Sequence, residues 1–473
     1  MRKTMIFRAF VVLFAVYAAH AGVLTEVRVF GNTHVRERFI LDEMDLYQGK
    51  EADTAMVRRS VNGLMASGWF DTVYARTLPG DSGAMKVWVY VKELERRGFF
   101  PYGGSLNATM FGEDKYWISA TPGVKQLYLF NRLQRLDLMI TAPYAYAATV
   151  LWSATSFPSR TIKSGLNLNA RTGPYKYSPY YAQNASVSAY VAKAVWETFQ
   201  LRATFSYDLS KTWWINVDKW RDLDWHIFVL DPSMFAGASP WYPRTESVPS
   251  AAFSATLDRR NHYLIPTRGF YLFAEAARFW VYNRSNDVGS PFNQASGIAR
   301  AYATPFSRQT FAMQVRAIAR QDFDNIALRH RLLFYDDGTQ FRGFRYLYGT
   351  NVAFANIEYR YRLFEVDYST MGLEEYFDKR TMRLINRVSY TAFAFAFIDN
   401  GMFWGYTYPQ NRYLKFSDVS LANDLYTSTG IGASLVYPKL GYIGSMGITL
   451  YGRKPGLSDD YAAMLYGSLS TRF

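Results

Sequence analysis

The stretch TFAMQVRAIAR, Thr310–Arg320, decides the fold because its residue types alternate at every second position. One face carries apolar side chains, and the other carries Gln314, Arg316 and Arg320. VAFANIEYRYR, Val352–Arg362, repeats the pattern with Ile357 and Tyr359 facing away from Glu358 and Arg360. Such alternation predicts strands with one apolar and one polar face. Weaker runs of the same kind occupy Leu133–Thr141, Ala148–Phe157, Ala185–Lys193 and Phe199–Tyr207.

The aromatic content indicates which kind of sheet these strands form. The 473 residues include 37 Tyr, 35 Phe and 12 Trp, as expected for a lipid-facing band with aromatic girdles. Past the N-terminus there is no apolar run of about twenty residues, which argues against helical spans. A soluble two-sheet sandwich would also alternate, but so long a series would be unusual. We therefore expect a mostly β chain, with residues 97–473 forming an antiparallel transmembrane β-barrel of about 16 strands.

The first 21 residues have the pattern of a signal peptide. Basic residues surround or precede the apolar stretch Met5–Ala19, and Ala19-His20-Ala21 supplies a small-x-small cleavage site before Gly22. We predict export and a mature chain beginning at Gly22. An uncleaved anchor is the alternative.

Residues 22–96 predict a separate α/β domain in the order β-α-α-β-β. The helix around His34–Leu46 places Phe39, Ile40 and Met44 on one face, and Asp53 is the predicted N-cap of the second helix. In chain order, the predicted elements are a strand at Val23–Val29, helices at His34–Leu46 and Thr54–Ala66, and strands at Thr72–Leu78 and Met85–Lys92.

Two segments of this domain carry a family resemblance. VRVFGNTHVRERFIL opens it, and LMASGWFDTV ends its second helix. Together with the element order, they resemble a POTRA domain. The resemblance implies a periplasmic domain ahead of a barrel of the BamA/TamA-like bacterial surface-antigen superfamily. A generic small α/β domain is the alternative reading of this segment alone.

Two barrel segments extend the resemblance. LDRRNHYLIPTRGFYLFAEAA, Leu257–Ala277, resembles the family's D-x-R…P-T-x-G turn signature, here assigned to Asp258, Arg259, Pro266 and Gly269. MLYGSLSTRF at the C-terminus resembles the signal by which outer-membrane barrels are recognised for insertion, through Leu469 and Phe473. That signal marks a client of the assembly machinery.

QFRGFRYLYG, Gln340–Gly349, resembles the family's motif in a loop that folds into the barrel lumen. The matching residues are Phe341, Arg342, Gly343 and Phe344, with Phe341 in place of the usual aliphatic residue.

The resemblance makes Arg342 the functional residue of this loop. A buried guanidinium requires a carboxylate partner, and the candidates are Glu358 and Asp399, the latter in FAFAFIDNG. The alternative is that Arg342 is an exposed loop arginine.

No catalytic motif stands out, so we expect no enzyme activity, cofactor or metal site. The chain has no Cys, and the mature histidines, 34, 226, 262 and 330, are scattered. Of the 53 basic residues, 3 lie in residues 1–21 and 10 in residues 22–96, which leaves 40 basic against 28 acidic residues in the barrel. The excess favours an Arg-lined lumen or contact with anionic outer-membrane lipid such as lipopolysaccharide, while export argues against nucleic acid.

The resemblance implies a factor for outer-membrane protein insertion or polypeptide translocation, with its POTRA domain in the periplasm. Its clients would be unfolded β-barrel or secreted polypeptides, and its partners periplasmic proteins or lipoproteins. A single POTRA domain departs from the essential assembly factor and from two-partner secretion transporters, which favours an accessory member. A passive channel for anionic solutes and a surface antigen or adhesion barrel are the alternatives.

Overall fold

The computed structural model describes residues 22–470 with internal gaps. The predicted signal peptide, residues 1–21, lies outside the described residues, as do residues 471–473. The gaps within the described range are residues 68, 81–83, 95, 110–116, 142–145, 156–161, 175–179, 197, 215–243, 262–264, 284–290, 322–333, 337–341, 343–346, 369–370, 379–380, 383–384, 386–388, 409–411, 421–423, 438–441 and 454–463.

Residues 22–93 form a four-stranded sheet with two helices, here called the N-terminal unit. Its elements are β1 Gly22–Phe30, α1 Glu37–Met44, β2 Glu51–Ala52, α2 Thr54–Ala66, β3 Phe70–Pro79 and β4 Met85–Glu93. The strand order is β2-β1-β4-β3, with β1 and β4 parallel. The predicted order β-α-α-β-β is confirmed, but the sequence did not predict β2, because two residues carry no periodicity.

The buried face of α1 and the N-terminal end of α2 follow from the sequence. Phe39, Ile40 and Met44 of α1 are buried against the sheet, at the spacing of one helical face. α2 begins after Asp53, whose carboxylate accepts the backbone N–H of Met56 at 2.5 Å. Both features match the sequence prediction.

The remaining strands form one antiparallel sheet that closes on itself. They are β5 Arg97–Thr109, β6 Trp117–Leu127, β7 Gln134–Thr141, β8 Tyr146–Ala154, β9 Ile162–Pro174, β10 Tyr180–Trp196, β11 Phe199–Trp214, β12 Arg244–Asp258, β13 Gly269–Phe279, β14 Tyr282–Asn283, β15 Phe292–Ala303, β16 Gln309–Gln321, β17 Phe334–Asp336, β18 Leu347–Val366, β19 Tyr390–Tyr408, β20 Arg412–Leu414, β21 Tyr426–Tyr437, β22 Tyr442–Arg453 and β23 Met464–Ser470.

Pairing between β23 and β5 closes the barrel. Of the nineteen strand segments in the described part of the barrel, β14, β17 and β20 span only two or three residues. The other sixteen span 7 to 20 residues and build the wall, in agreement with the predicted strand number.

The alternation of strand direction assigns each connection to one end of the barrel. β5 begins beside the N-terminal unit, so connections that follow β6, β8, β12 and β18 lie at that end, here called the near end. Most near-end connections are short. The connection between β18 and β19, residues 367–389, is longer and includes a 3₁₀ turn at Leu373–Glu375.

The two faces of the wall differ as the alternation predicts. Phe311 and Met313 point outward and are 47% and 49% exposed, whereas Asn356 and Glu358 point into the barrel and are buried. Among the described residues, no helix combines the length and apolar character needed to span a membrane.

Candidate functional site

Arg342 lies in the long connection between β16 and β18 and is buried inside the barrel. Its Nε and Nη2 donate to the two oxygens of Asp399 at 2.9 and 2.7 Å, and its backbone N–H donates to the same carboxylate at 3.0 Å. Its Nη1 donates to Glu358 at 2.5 Å. The planar guanidinium thus binds one carboxylate by a two-point contact and a second by its remaining edge.

Strand register explains why these carboxylates meet one arginine. Asp399 on β19 pairs with Asn356 on β18, two residues before Glu358, so both carboxylates point into the lumen from neighbouring strands. Glu358 also accepts a hydrogen bond from Arg360. Two guanidinium and two carboxylate groups therefore form a cluster whose formal charges balance. This balance offsets the cost of removing the four charges from water.

Two further contacts hold the loop at this position. Ser428 of β21 donates a hydrogen bond to the backbone oxygen of Arg342. The Phe397 ring lies 3.9 Å from the guanidinium carbon, within the range of a cation–π interaction. Contacts from β18, β19 and β21 therefore fix Arg342 against one side of the lumen.

The structure brings together three residues of the predicted lumen-loop site, Arg342, Glu358 and Asp399. The other motif residues, Phe341, Gly343 and Phe344, lie outside the described residues. The role of the loop stays a prediction.

The predicted turn signature lies at the near end, between β12 and β13. Asp258 accepts hydrogen bonds from the Nε and Nη2 of Arg260, at 2.9 and 2.7 Å. Arg259, which the sequence reasoning had named, packs over Phe270 instead, with 5.9 Å between its guanidinium carbon and the ring centre. In the pattern D-x-R, the arginine stands two positions after the aspartate, so the pattern itself indicated Arg260.

Gly269 and Pro266 shape the same turn. Gly269 has φ +100°, and a Cβ there would lie 2.0 Å from the backbone oxygen of Arg259, so a side chain would clash. Pro266 is buried. At the C-terminus, Leu469 belongs to β23 and pairs with Gly104 and Gly444, whereas Phe473 lies outside the described residues.

Tyr128 lies in the turn between β6 and β7. It forms a contact between the barrel and the N-terminal unit that the sequence did not predict. Its side chain is completely buried in the core of the N-terminal unit, beside Trp69 and Phe70. Its hydroxyl donates to the backbone oxygen of Trp69 and accepts the N–H of Leu94 at 2.9 Å. A near-end barrel turn is thereby inserted into the N-terminal unit.

Additional contacts support this joint. Lys163 of β9 forms an ion pair with Glu43 of α1. Arg132 places its guanidinium carbon 5.4 Å from the Phe39 ring centre. α1 therefore faces the barrel.

Glu93 organises the loop beside Tyr128. Its carboxylate accepts backbone N–H groups from Thr33, His34 and Val35 and a hydroxyl from Thr33. Burial alone would raise the pKa of Glu93, but the hydrogen bonds from Thr33, Val35 and His34 lower it below 4.5. Burial raises the pKa of Tyr128, and the nearby Glu93 carboxylate raises it further.

Acidic and histidine side chains are the groups that could share a metal ion. In the part of the chain that the structure describes, no three His, Cys, Asp or Glu side chains cluster closely enough to hold a metal ion.

Comparison with known proteins assigns the N-terminal unit. The POTRA family, described as the surface antigen variable number repeat, matches residues 23–94. Residues 23–94 are a POTRA domain. No curated protein matches the chain in sequence.

Solved structures match the POTRA domain and the barrel together. BamA from Haemophilus ducreyi lacking POTRA domains 1–3 has a TM-score of 0.53 and 14% identity, over 95% of this chain and 84% of that one. CdiB from Acinetobacter baumannii has a TM-score of 0.58 and 10% identity, over 95% and 74% of the two chains. CdiB from Escherichia coli has a TM-score of 0.57 and 12% identity, over 95% and 76%. The chain has the BamA-like fold, a POTRA domain followed by a β-barrel.

Proposed function

We propose that this protein inserts polypeptides into the bacterial outer membrane or translocates them across it, with its POTRA domain in the periplasm. The observation that carries the proposal is the loop fastened inside the barrel by Arg342, in a chain with the fold of BamA and CdiB. A passive pore needs neither a loop held by a buried ion cluster nor a POTRA domain that takes up one of the barrel turns in its core.

The POTRA domain offers a site for an extended client. Among the described strands, β3 lies at the edge of the sheet and pairs with β4 alone, so its outer edge presents N–H and C=O groups without a strand partner there. An extended polypeptide binds such an edge as an additional strand. This mode recognises backbone, which suits clients that differ in sequence.

The barrel closure offers an exit. β23 and β5 pair only along Met464–Ser470, whereas β10 and β11 pair along Tyr180–Trp196. Fewer backbone hydrogen bonds hold the closure than hold β10 to β11, so the closure separates at lower cost than that long pairing. The loop held by Arg342 would keep the lumen in one defined state while this closure opens.

In this proposed role, the chain has three parts. Residues 1–21 act as the signal peptide, residues 22–96 as the POTRA domain and residues 97–473 as the barrel. Clients are unfolded β-barrel or secreted polypeptides, outer-membrane lipid surrounds the barrel, and no step requires an enzyme activity or a cofactor.

The test is replacement of the chromosomal copy by the Arg342→Ala variant, followed by quantitative profiling of outer-membrane proteins. We expect several other barrels, or one secreted protein, to fall in abundance while inner-membrane proteins hold steady. Arg320→Ala is the matched control, because Arg320 also lies in the lumen but bonds to Gln294 and the Thr350 backbone.

Depletion of the whole protein completes the test. An unchanged outer-membrane profile on depletion would refute the proposal and favour a channel for anionic solutes or a surface antigen. Altered conductance of the Arg342→Ala barrel, with all other proteins at normal levels, would also favour the channel.

A further inference from the structure

Both helices pack on one side of the POTRA sheet, and among the described residues no helix covers the other side. Four rings from three strands contact one another there, and we call Phe30, Tyr74, Trp88 and Tyr90 the aromatic face. Phe30 and Tyr74 each stack on Tyr90, at 5.1 and 4.8 Å between ring centres, and are 37% and 49% exposed. Stacked rings left open to solvent are typical of an interaction surface.

Positive charge surrounds these rings. The strand register places four cations and one carboxylate on this side of the sheet: Arg28, Arg76, Lys86, Lys92 and Glu26. Glu26 pairs with Arg28 and Lys86, and Asp71 pairs with Lys92, but Arg76 forms no ion pair with any described residue. This face therefore carries four of the ten basic residues in 22–96 but only one of the eleven acidic residues, which leaves it with an excess of positive charge. The surface therefore suits an acidic segment with apolar side chains.

The same chain carries a segment of that chemistry at the near end. Met371–Asp378, MGLEEYFD, lies in the long connection between β18 and β19, and we call it the acidic segment. Met371, Tyr376 and Phe377 are 52%, 77% and 45% exposed. Three carboxylates accompany them, and basic residues resume only at Lys379.

The position of the POTRA domain argues for contact between two molecules. Its helix side is held against the barrel by Tyr128 and by Lys163, near β6 to β9. The acidic segment follows β18, the twelfth of the sixteen wall strands counted from β5, whereas Tyr128 follows the second. Within one chain, contact would require Tyr128 to leave its pocket in the POTRA domain, so that the domain could move across the barrel. A neighbouring copy in the same membrane presents its acidic segment at the same end with no such rearrangement.

We propose that the aromatic face of one copy binds the acidic segment of a second copy. The two surfaces differ, so the contact is heterologous, and copies in one membrane associate in a row or a ring. Self-association of this kind does not depend on the proposed handling of client polypeptides.

Disulfide trapping tests the contact directly, because the chain has no cysteine. Two differently tagged copies are co-expressed, one with Thr72→Cys beside the aromatic face and the other with Met371→Cys in the acidic segment. Both positions are exposed, and neither change removes a charge or a ring. We expect an oxidised product carrying both tags in outer membranes. Thr54→Cys, an exposed threonine on the helix side, is the matched control and should give none with Met371→Cys.

Charge reversal gives an independent measurement. Arg76→Glu, or Glu375→Arg, should lower the trapped product about tenfold by placing like charges together, and the two changes in opposite copies should restore it. A product of equal yield with Thr54→Cys would show random encounter and refute the proposal. So would a disulfide that forms only within one chain carrying both cysteines, or the absence of any product from variants that reach the membrane in normal amounts.

Discussion

Tyr128 and Arg342 hold two parts of this molecule by different physical means. Each belongs to a barrel connection, and each is buried in a region distant in sequence. Tyr128 joins the barrel to the POTRA domain through a neutral hydroxyl and an aromatic ring packed in an apolar core. Arg342 joins its loop to the wall through charge-assisted bonds to two carboxylates.

The difference predicts how each joint fails. The Tyr128 joint depends mainly on apolar surface removed from water, so the loss of one polar atom weakens it without destroying it. The Arg342 joint depends on charge balance, so the loss of one partner leaves an uncompensated charge inside the barrel. The first joint suits a permanent attachment, and the second suits a contact with two distinct states.

The largest effect is expected for Asp399→Ala, which removes the two-point partner of Arg342. The loop should lose about 3–5 kcal/mol of docking free energy, because the guanidinium stays buried with one remaining carboxylate. The measurement is the rate of protease cleavage within residues 322–346 of the folded barrel, which should rise steeply.

A double-mutant cycle sharpens this prediction. In the variant with both Asp399→Ala and Arg342→Ala, the loss of docking free energy should be much smaller than the sum of the losses in the two single variants. The reason is that neither the loop nor the wall then keeps an unpaired charge. Strictly additive losses would show that the two side chains do not depend on each other.

An intermediate effect is expected for Tyr128→Phe, which keeps the ring and removes the hydroxyl. The Leu94 N–H and the Trp69 carbonyl lose their partner, at a cost of about 1–3 kcal/mol. Hydrogen exchange at Leu94 should quicken accordingly. Phe130→Ala is the control, since Phe130 lies in the same turn but is 80% exposed and should leave the exchange unchanged.

The smallest effect is a pH dependence of the loop beside Tyr128. Because the pKa of Glu93 lies below 4.5 in the folded protein, its hydrogen bonds stabilise the loop above that pH and are lost as the pH falls through the lowered pKa. The protection factors of the amides in residues 31–36, which are exchange rates normalised to the intrinsic rate at each pH, should fall in that acidic range. Glu93→Gln should exchange faster at neutral pH and lose this acid dependence, whereas Glu51→Gln, at an exposed carboxylate, should follow the unmodified protein.

Local patterns predicted the fold well, because alternation and helix caps are properties of neighbouring residues. The strand Gln309–Gln321 and the helix Thr54–Ala66 were read directly from the sequence. The family resemblance also grouped Arg342 with Glu358 and Asp399. It could do so because a buried arginine needs carboxylate partners, and the strand patterns indicated which carboxylates face the lumen.

Contacts between distant elements left no such signal. Tyr128 is an aromatic residue at a strand end. In a barrel sequence, such a position predicts a residue of the interfacial aromatic girdle. Its burial depends on the position of the POTRA domain, and no local pattern encodes that. Arg260 was missed for a simpler reason, because the motif was assigned to the adjacent arginine instead of to the one two positions after Asp258, which bonds to it.

The Tyr128 joint also has a mechanical consequence. The POTRA domain is held to the barrel by the covalent link into β5, by the turn that joins β6 to β7 and by the ion pair between Glu43 and Lys163 of β9. Attachment at several points resists rotation as well as separation, so a sideways load on the POTRA domain acts as a torque on β5 and the strands that follow it. The first of these strands, β5, is the one that closes the barrel against β23.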